Sequence, residues 1–136
     1  MKVKQPLYLV IAVAMLLSLA AMRAMAEEDP IPMWVSRVRL AYNGRSSSAP
    51  DRVVGMVHVR DADRAAVEGA AVLAEWTLPD GTVYQETAPT TFQGIARFKA
   101  WSGKGMYKLC VVNVTKEGWL YDSSLNRQTC TTLMAR

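Results

Sequence analysis

Residues 52–60 read RVVGMVHVR, and this stretch is the clearest secondary-structure signal in the chain. Every second residue is a valine or a glycine, and most of the residues between them are larger or polar. Because side chains alternate between the two faces of a strand, the pattern predicts a strand with one face on a core and one towards solvent. The inner set is Val53, Gly55, Val57 and Val59, and the outer set is Val54, Met56, His58 and Arg60.

The same period of two continues on both sides of this strand, and no stretch after residue 32 has the period of an amphipathic helix. Turn signals such as Pro79-Asp80-Gly81 separate the extended segments. Seven short strands in about 100 residues predict an all-β fold, an antiparallel two-sheet Greek-key sandwich, with a small barrel as the alternative. The predicted strands cover residues 34–40, 52–60, 70–78, 83–87, 92–100, 107–114 and 120–133, the last interrupted at 122–126.

The N-terminal segment has the three parts of a secretory signal peptide. Lys2 and Lys4 precede an apolar run, residues 7–22, and Ala24-Met25-Ala26 provides a cleavage site. We therefore expect a signal peptide at 1–26, a short linker at 27–32 and one domain at 33–136. A retained membrane anchor is the alternative. The mature protein is expected to be secreted or periplasmic.

The net charge of the chain becomes smaller if the predicted signal peptide is removed. The 136-residue chain has 16 basic and 12 acidic residues, a net charge of +4. Cleavage removes Lys2, Lys4 and Arg23 and leaves 13 basic against 12 acidic residues, a net charge of +1. The remaining basic residues are scattered along the sequence without a cluster. This distribution predicts no nucleic-acid partner and, after cleavage, no membrane association.

The chain contains two cysteines, Cys110 and Cys130. In an oxidising compartment an isolated pair predicts a disulfide bond. Closing a loop of this length stabilises the fold by about 3 kcal/mol in the chain-entropy model.

The order of several short motifs resembles a known family. Val57-x-Val59-x-Asp61 is followed by Gly69-Ala70-x-Val72, and Thr91-x-x-Gly94-x-Ala96-x-Phe98 comes after the turn at residues 79–81. This series, over residues 53–126, is similar to bacterial immunoglobulin-like and fibronectin-type-III-like domains of secreted proteins. The resemblance implies an immunoglobulin-like sandwich that serves as a spacer, an adhesion unit or an accessory domain.

The chain departs from that family in two places. Arg64-Ala65 stands where the family has glycine or asparagine, and Trp76 precedes both cysteines instead of lying between them. Cys110 is also out of phase with the apolar positions of its strand. We therefore expect the disulfide to join the last two strands, on the outer face, and not to link one sheet to the other.

The polar residues offer weak candidates for chemistry. His58 is the chain's one histidine, and its place opposite the valine face argues against a catalytic base. Asp61, Asp63 and Asp122 are weak candidates for Ca²⁺ ligands, but turn chemistry explains them better. Glu75 and Glu86 fall on predicted solvent-facing positions and make a poor glycosidase pair. We expect no enzymatic activity, no metal and no cofactor.

The four tryptophans divide into one core residue and three residues near strand ends. Trp76 fits the core, whereas Trp34, Trp101 and Trp119 lie beside turns. We therefore predict a non-catalytic binding or structural module that acts through loops or an edge strand. Its partner is an extracytoplasmic protein or a glycan. The alternative is a carbohydrate-binding module that uses Trp101 and Trp119.

Overall fold

The computed structural model describes residues 29–43 and 52–136. The compact unit that these residues form runs from Ile31 to Arg136. The predicted signal peptide, residues 1–26, lies outside the described part of the chain. Among the residues that are described, no helix is long and apolar enough to cross a membrane.

In the described part of the chain, eight strands form two four-stranded sheets, an all-β sandwich. Sheet A has the strand order β5-β2-β1-β7, and sheet B has the order β4-β3-β6-β8. Neighbouring strands are antiparallel except β1 and β7, which are parallel. The strands are β1 (Ile31–Asn43), β2 (Arg52–Asp61), β3 (Ala71–Thr77), β4 (Val83–Pro89), β5 (Ile95–Ala100), β6 (Gly105–Thr115), β7 (Trp119–Tyr121) and β8 (Cys130–Ala135).

The core lies between the two sheets and is filled by the inner residues that the alternation predicts. Strand β2 contributes Val53, Val57 and Val59, each fully buried. Trp76 of β3 is also fully buried, as expected, and its ring meets Tyr107 edge to face at 6.5 Å. Gly55 belongs to the same layer: a Cβ atom there would lie 2.5 Å from Leu109 Cδ2. Glycine at this position therefore lets the two sheets approach.

The disulfide joins β6 to β8, as predicted. Cys110 and Cys130 are directly paired across these strands, with their Cα atoms 4.1 Å apart. Leu109 and Val111, the neighbours of Cys110, are buried. The bridge therefore lies on the outer face of sheet B, because adjacent residues of a strand point to opposite faces.

A hydrogen-bonded tyrosine fixes the connection from β5 in sheet A to β6 in sheet B. Tyr107 lies near the start of β6, and its hydroxyl donates to the Gly103 carbonyl at 2.6 Å. The same hydroxyl accepts from the Ser102 amide at 3.0 Å. One buried side chain thus anchors the turn that carries the chain between the sheets.

Three local features differ from the sequence-based predictions. Strand β1 begins at Ile31, inside the predicted linker, because it pairs with β7 there. Phe92 lies in a turn and is 73% exposed, although the alternation placed it on the inner face of a strand. The last predicted strand, residues 120–133 with an interruption at 122–126, is in fact two strands, β7 and β8. They belong to different sheets, because the chain passes from sheet A to sheet B between them.

Candidate functional site

The outer face of sheet A carries a cluster of cations. The inner residues of β1, β2 and β5 are apolar, so the alternating positions on these strands point away from the core. These outward positions hold six basic side chains and one histidine. We call this surface the basic face, and its cations are Arg37, Arg39, Arg52, Arg60, Arg97 and Lys99.

The strand register explains how the cations come together. Arg39 pairs with Met56, which pairs with Arg97, so one row crosses three strands. Arg37 lies in the next row, opposite His58. Rows in one strand are about 6.7 Å apart and strands about 4.8 Å apart, so the cations of the basic face lie close together. The expectation of scattered basic residues is wrong for the folded chain, because residues far apart in sequence become neighbours.

His58 reports the positive potential of this surface. Burial lowers the pKa of His58, and the charges of Arg60, Arg37, Arg39 and Arg97 lower it further. These arginines come from all three strands. Both effects oppose protonation of the imidazole.

Two of the cations are held by neighbouring groups. Arg60 Nη1 donates to the Gln93 carbonyl at 2.8 Å, which ties β2 to the turn before β5. Arg97 Nη1 lies 3.8 Å from the Met56 sulfur. Neither partner is a carboxylate, so these two contacts do not offset the positive charge of the guanidinium groups.

Within the described residues of β1, β2 and β5, no carboxylate lies on the basic face. Asp61 is the last residue of β2 and has the phase of the inward residues, not that of the basic face. Its Oδ1 accepts from the amides of Asp63 and Ala65 at 2.9 Å. The charge of the basic face is thus uncompensated by its own strands. Guanidinium and ammonium groups on this surface are able to donate charge-assisted hydrogen bonds to an anion.

Exposed aromatic side chains lie at both ends of β5. Phe92 precedes the strand and is 73% exposed, and Trp101 follows it and is 53% exposed. Trp101 comes two residues after Lys99 of the basic face. The predicted binding residue Trp101 therefore lies at the border of the cation cluster.

Trp119 lies elsewhere and is partly covered. It pairs with Ile31 at the start of β1, whereas Ala100, beside Trp101, pairs with Val53 at the start of β2. These positions are at opposite ends of sheet A. The Trp119 ring packs against the core, and Lys116 Nζ lies 4.8 Å from its centroid. The structure thus does not bring the two predicted tryptophans together. The third, Trp34, is buried and has Arg127 over its ring at 5.5 Å.

The three aspartates that are weak candidates for Ca²⁺ ligands all take part in turns. Asp61 caps the turn after β2 through the amide bonds given above, and the Asp63 amide is one of the donors. Asp122 begins a 3-10 turn, Ser123–Leu125, and its carboxylate accepts from the Ser124 amide at 3.1 Å. The described residues contain no group of three or more histidine, cysteine or acidic side chains that could hold a metal ion.

The predicted solvent-facing position of Glu86 is wrong. Glu86 pairs with the buried Ala74 and accepts from the Trp76 indole N–H at 3.3 Å, so it faces the inner layer of edge strand β4. Glu75 faces outward and accepts from Gln85 at 3.3 Å. The two carboxylates lie on opposite sides of sheet B and cannot act as a catalytic pair.

No family model, no curated protein and no solved structure matches this chain.

Proposed function

We propose that the protein is a non-catalytic binding module whose basic face binds an anionic polymer. One observation carries the proposal: six cations share the outer face of three strands, and the described residues there include no carboxylate. Like charges held this close destabilise the folded state. A polyanion would relieve this repulsion and receive hydrogen bonds from planar guanidinium groups.

The position of the basic face favours the sheet surface over the end loops as the binding surface. Arg39 of β1 and Arg97 of β5 lie on strands that both pair with the central strand β2, opposite the same residue, Met56. Groups on such elements keep their spacing better than groups on loops. A polymer with regularly spaced charges suits such a fixed array.

We also propose that the sandwich is immunoglobulin-like with Greek-key connections. Two features support this: β1, β2 and β5 lie in one sheet and β3, β4, β6 and β8 in the other, and Tyr107 has the position of a tyrosine corner. The site of action is proposed to be outside the cytoplasm after removal of residues 1–26. The Cys110–Cys130 bridge supports that location, because disulfides persist in oxidising compartments.

A charge-reversal experiment tests the proposed function. The variant Arg39→Glu/Arg97→Glu changes the basic face, and Lys108→Glu/Arg136→Glu makes the same net charge change elsewhere. Binding of poly-L-glutamate is measured by calorimetry at rising NaCl concentration. We expect wild-type affinity to fall with salt, the first variant to lose about tenfold or more, and the control to lose little.

Two results would refute the proposal. Equal losses in both variants would mean that net charge, and not the basic face, attracts the polymer. No binding by the wild type at low salt would remove the anionic partner altogether. Circular dichroism of each variant confirms that the fold is retained.

A further inference from the structure

We infer that the polymer is an acidic polysaccharide that lies along β5, with its charged groups on the basic face and its sugar rings against Phe92 and Trp101. This inference rests on the proposed function and assigns its ligand class. Both aromatic rings are exposed, at 73% and 53%, and Arg97 and Lys99 lie between them. A carbohydrate is the alternative partner predicted from the sequence. The positive charge of the basic face, which only the fold reveals, indicates that this carbohydrate is acidic.

The backbone fixes Phe92 beside the basic face. Its turn is closed by the Gly94 amide, which donates to the Thr91 carbonyl at 2.8 Å. Gly94 has a φ of 72°, and a Cβ atom there would lie 2.7 Å from the Val59 carbonyl and from Arg60 Nη1. The turn is therefore packed directly onto β2. Arg60 also donates to Gln93, so the residue next to Phe92 contacts a cation of the basic face.

The backbone fixes Trp101 in a similar way. Ala100 pairs with Val53, so the chain is held in sheet A up to the residue before the tryptophan. The Ser102 amide, directly after it, donates to the Tyr107 hydroxyl at 3.0 Å. Trp101 is thus exposed on a segment that is held on both sides. A backbone segment held in this way loses little conformational entropy on binding.

The combination of groups distinguishes a polysaccharide from other polyanions. A uronic acid presents an apolar C–H face, which packs on an aromatic ring, and a carboxylate, which pairs with a guanidinium. Single-stranded nucleic acid needs aromatic rings interleaved with cations along its path. On β5 the outward residues between the two rings are Ile95, Arg97 and Lys99, none of them aromatic. The two aromatic residues are separated by the length of β5, roughly 20 Å for its six residues.

An anionic bilayer fits this arrangement less well. Interfacial binding places apolar side chains together where they enter the boundary between headgroups and acyl chains. Phe92 and Trp101 instead lie at opposite ends of one strand, with cations between them. An elongated polymer can contact both rings and the charges between them in one extended conformation.

The test compares five probes of defined composition with the folded full-length mature chain. Polygalacturonate is the acidic polysaccharide, and its methyl ester is the same polymer without charge. Poly-L-glutamate and oligo-dT are anionic without uronic acid rings, and phosphatidylglycerol vesicles present an anionic surface. Affinities are compared per anionic group, at one ionic strength. The variants are Phe92→Ala and Trp101→Ala, with Trp119→Ala as the matched control away from the basic face.

The expected result is preferential binding of polygalacturonate. Trp101→Ala and Phe92→Ala should each weaken that binding about three- to tenfold and leave poly-L-glutamate binding unchanged. Trp119→Ala should change neither. Loss of binding on methyl esterification would show that the carboxylates are used together with the rings.

Other results would overturn the inference in distinguishable ways. Equal affinity for all polyanions, with no effect of the aromatic variants, would refute the polysaccharide and leave the proposed function standing. Tighter binding of oligo-dT or of the vesicles would assign a different ligand class to the same face. Absence of binding to every anionic probe would refute the proposed function, and the inference would fall with it.

Discussion

The outer faces of the two sheets differ, although both sheets contribute alternate apolar residues to one core. The outer face of sheet B carries the Cys110–Cys130 bridge and the bonded pair Glu75 and Gln85. The outer face of sheet A carries the six cations of the basic face and has no described carboxylate on its strands. The inner positions thus serve packing in both sheets. On the outside, sheet B carries a disulfide bond and a hydrogen-bonded pair, whereas sheet A carries like charges that the described residues of its strands do not offset.

This difference suggests a division of roles between the sheets. We propose that the outer face of sheet B stabilises the fold, whereas the outer face of sheet A is the binding surface. Four measurements test this difference between the two sheets.

The largest expected effect is on the outer face of sheet B. The variant Cys110→Ser/Cys130→Ser should lower the free energy of unfolding by about 3 kcal/mol, because the unfolded chain is no longer constrained across 20 positions. Urea unfolding measures this loss. Poly-L-glutamate affinity at a temperature where the variant is folded should not change. A large loss of affinity would mean that the two outer faces are coupled.

The second measurement concerns the inner layer that both sheets share. Tyr107→Phe removes one hydroxyl that bonds both Gly103 and Ser102, and it should cost about 1–3 kcal/mol. Tyr84→Phe, on edge strand β4, is the matched control and should cost less than about 1 kcal/mol. Thermal and urea unfolding of both variants give the comparison. Equal costs would contradict an anchoring role for Tyr107.

The third measurement concerns the outer face of sheet A. Arg39→Gln/Arg97→Gln should raise the stability of the free protein by up to about 1 kcal/mol, because it reduces repulsion. NaCl should raise the melting temperature of the wild type more than that of the variant. Lys108→Gln, on sheet B, should leave both quantities nearly unchanged. A destabilised double variant would show that these arginines serve the fold.

The smallest expected effect is the pH dependence of His58. Its folded-state pKa lies below 6.5, so the unfolded state binds more protons, and His58 makes stability fall as the pH drops below about 6.5. A bound polyanion offsets the charges of Arg37, Arg39, Arg60 and Arg97 and raises that pKa. Poly-L-glutamate affinity should therefore increase about two- to fivefold between pH 7.5 and pH 5.5.

The variant His58→Gln separates this effect from other titrations. Its affinity should vary less over the same pH interval than that of the wild type. If both proteins show the same profile, the pH dependence comes from other groups and the basic face does not control His58.

Much of the fold could be predicted from the sequence because its signals are local. The alternation at residues 52–60 identified the inner and outer residues of β2, and the phase of Cys110 identified the outer-face disulfide. The aspartate turns were also predicted, since Asp61 bonds amides only two and four residues away. The residues that decide the strand and the turns are close in sequence. For the disulfide, the two cysteines of the chain allow only one pairing.

The candidate site could not be predicted, because it depends on which strands are neighbours. Arg39 and Arg97 are 58 positions apart, and only the pairing of both strands with β2 brings them into one row. Glu86 was placed on the wrong side because the short pattern of β4 fits either face, and its register with Ala74 decides between them.

The amino-acid sequence alone is enough to identify the alternating strands and their inner valines, because side chains alternate along a strand. It also identifies the disulfide, because the chain has two cysteines. The strand pairing that places the cations on one face, Trp101 at its border and Trp119 against the core is visible only in the folded chain. The physical reason is strand register. Register depends on contacts between distant residues, and it decides which outward side chains become neighbours on the surface of a sheet.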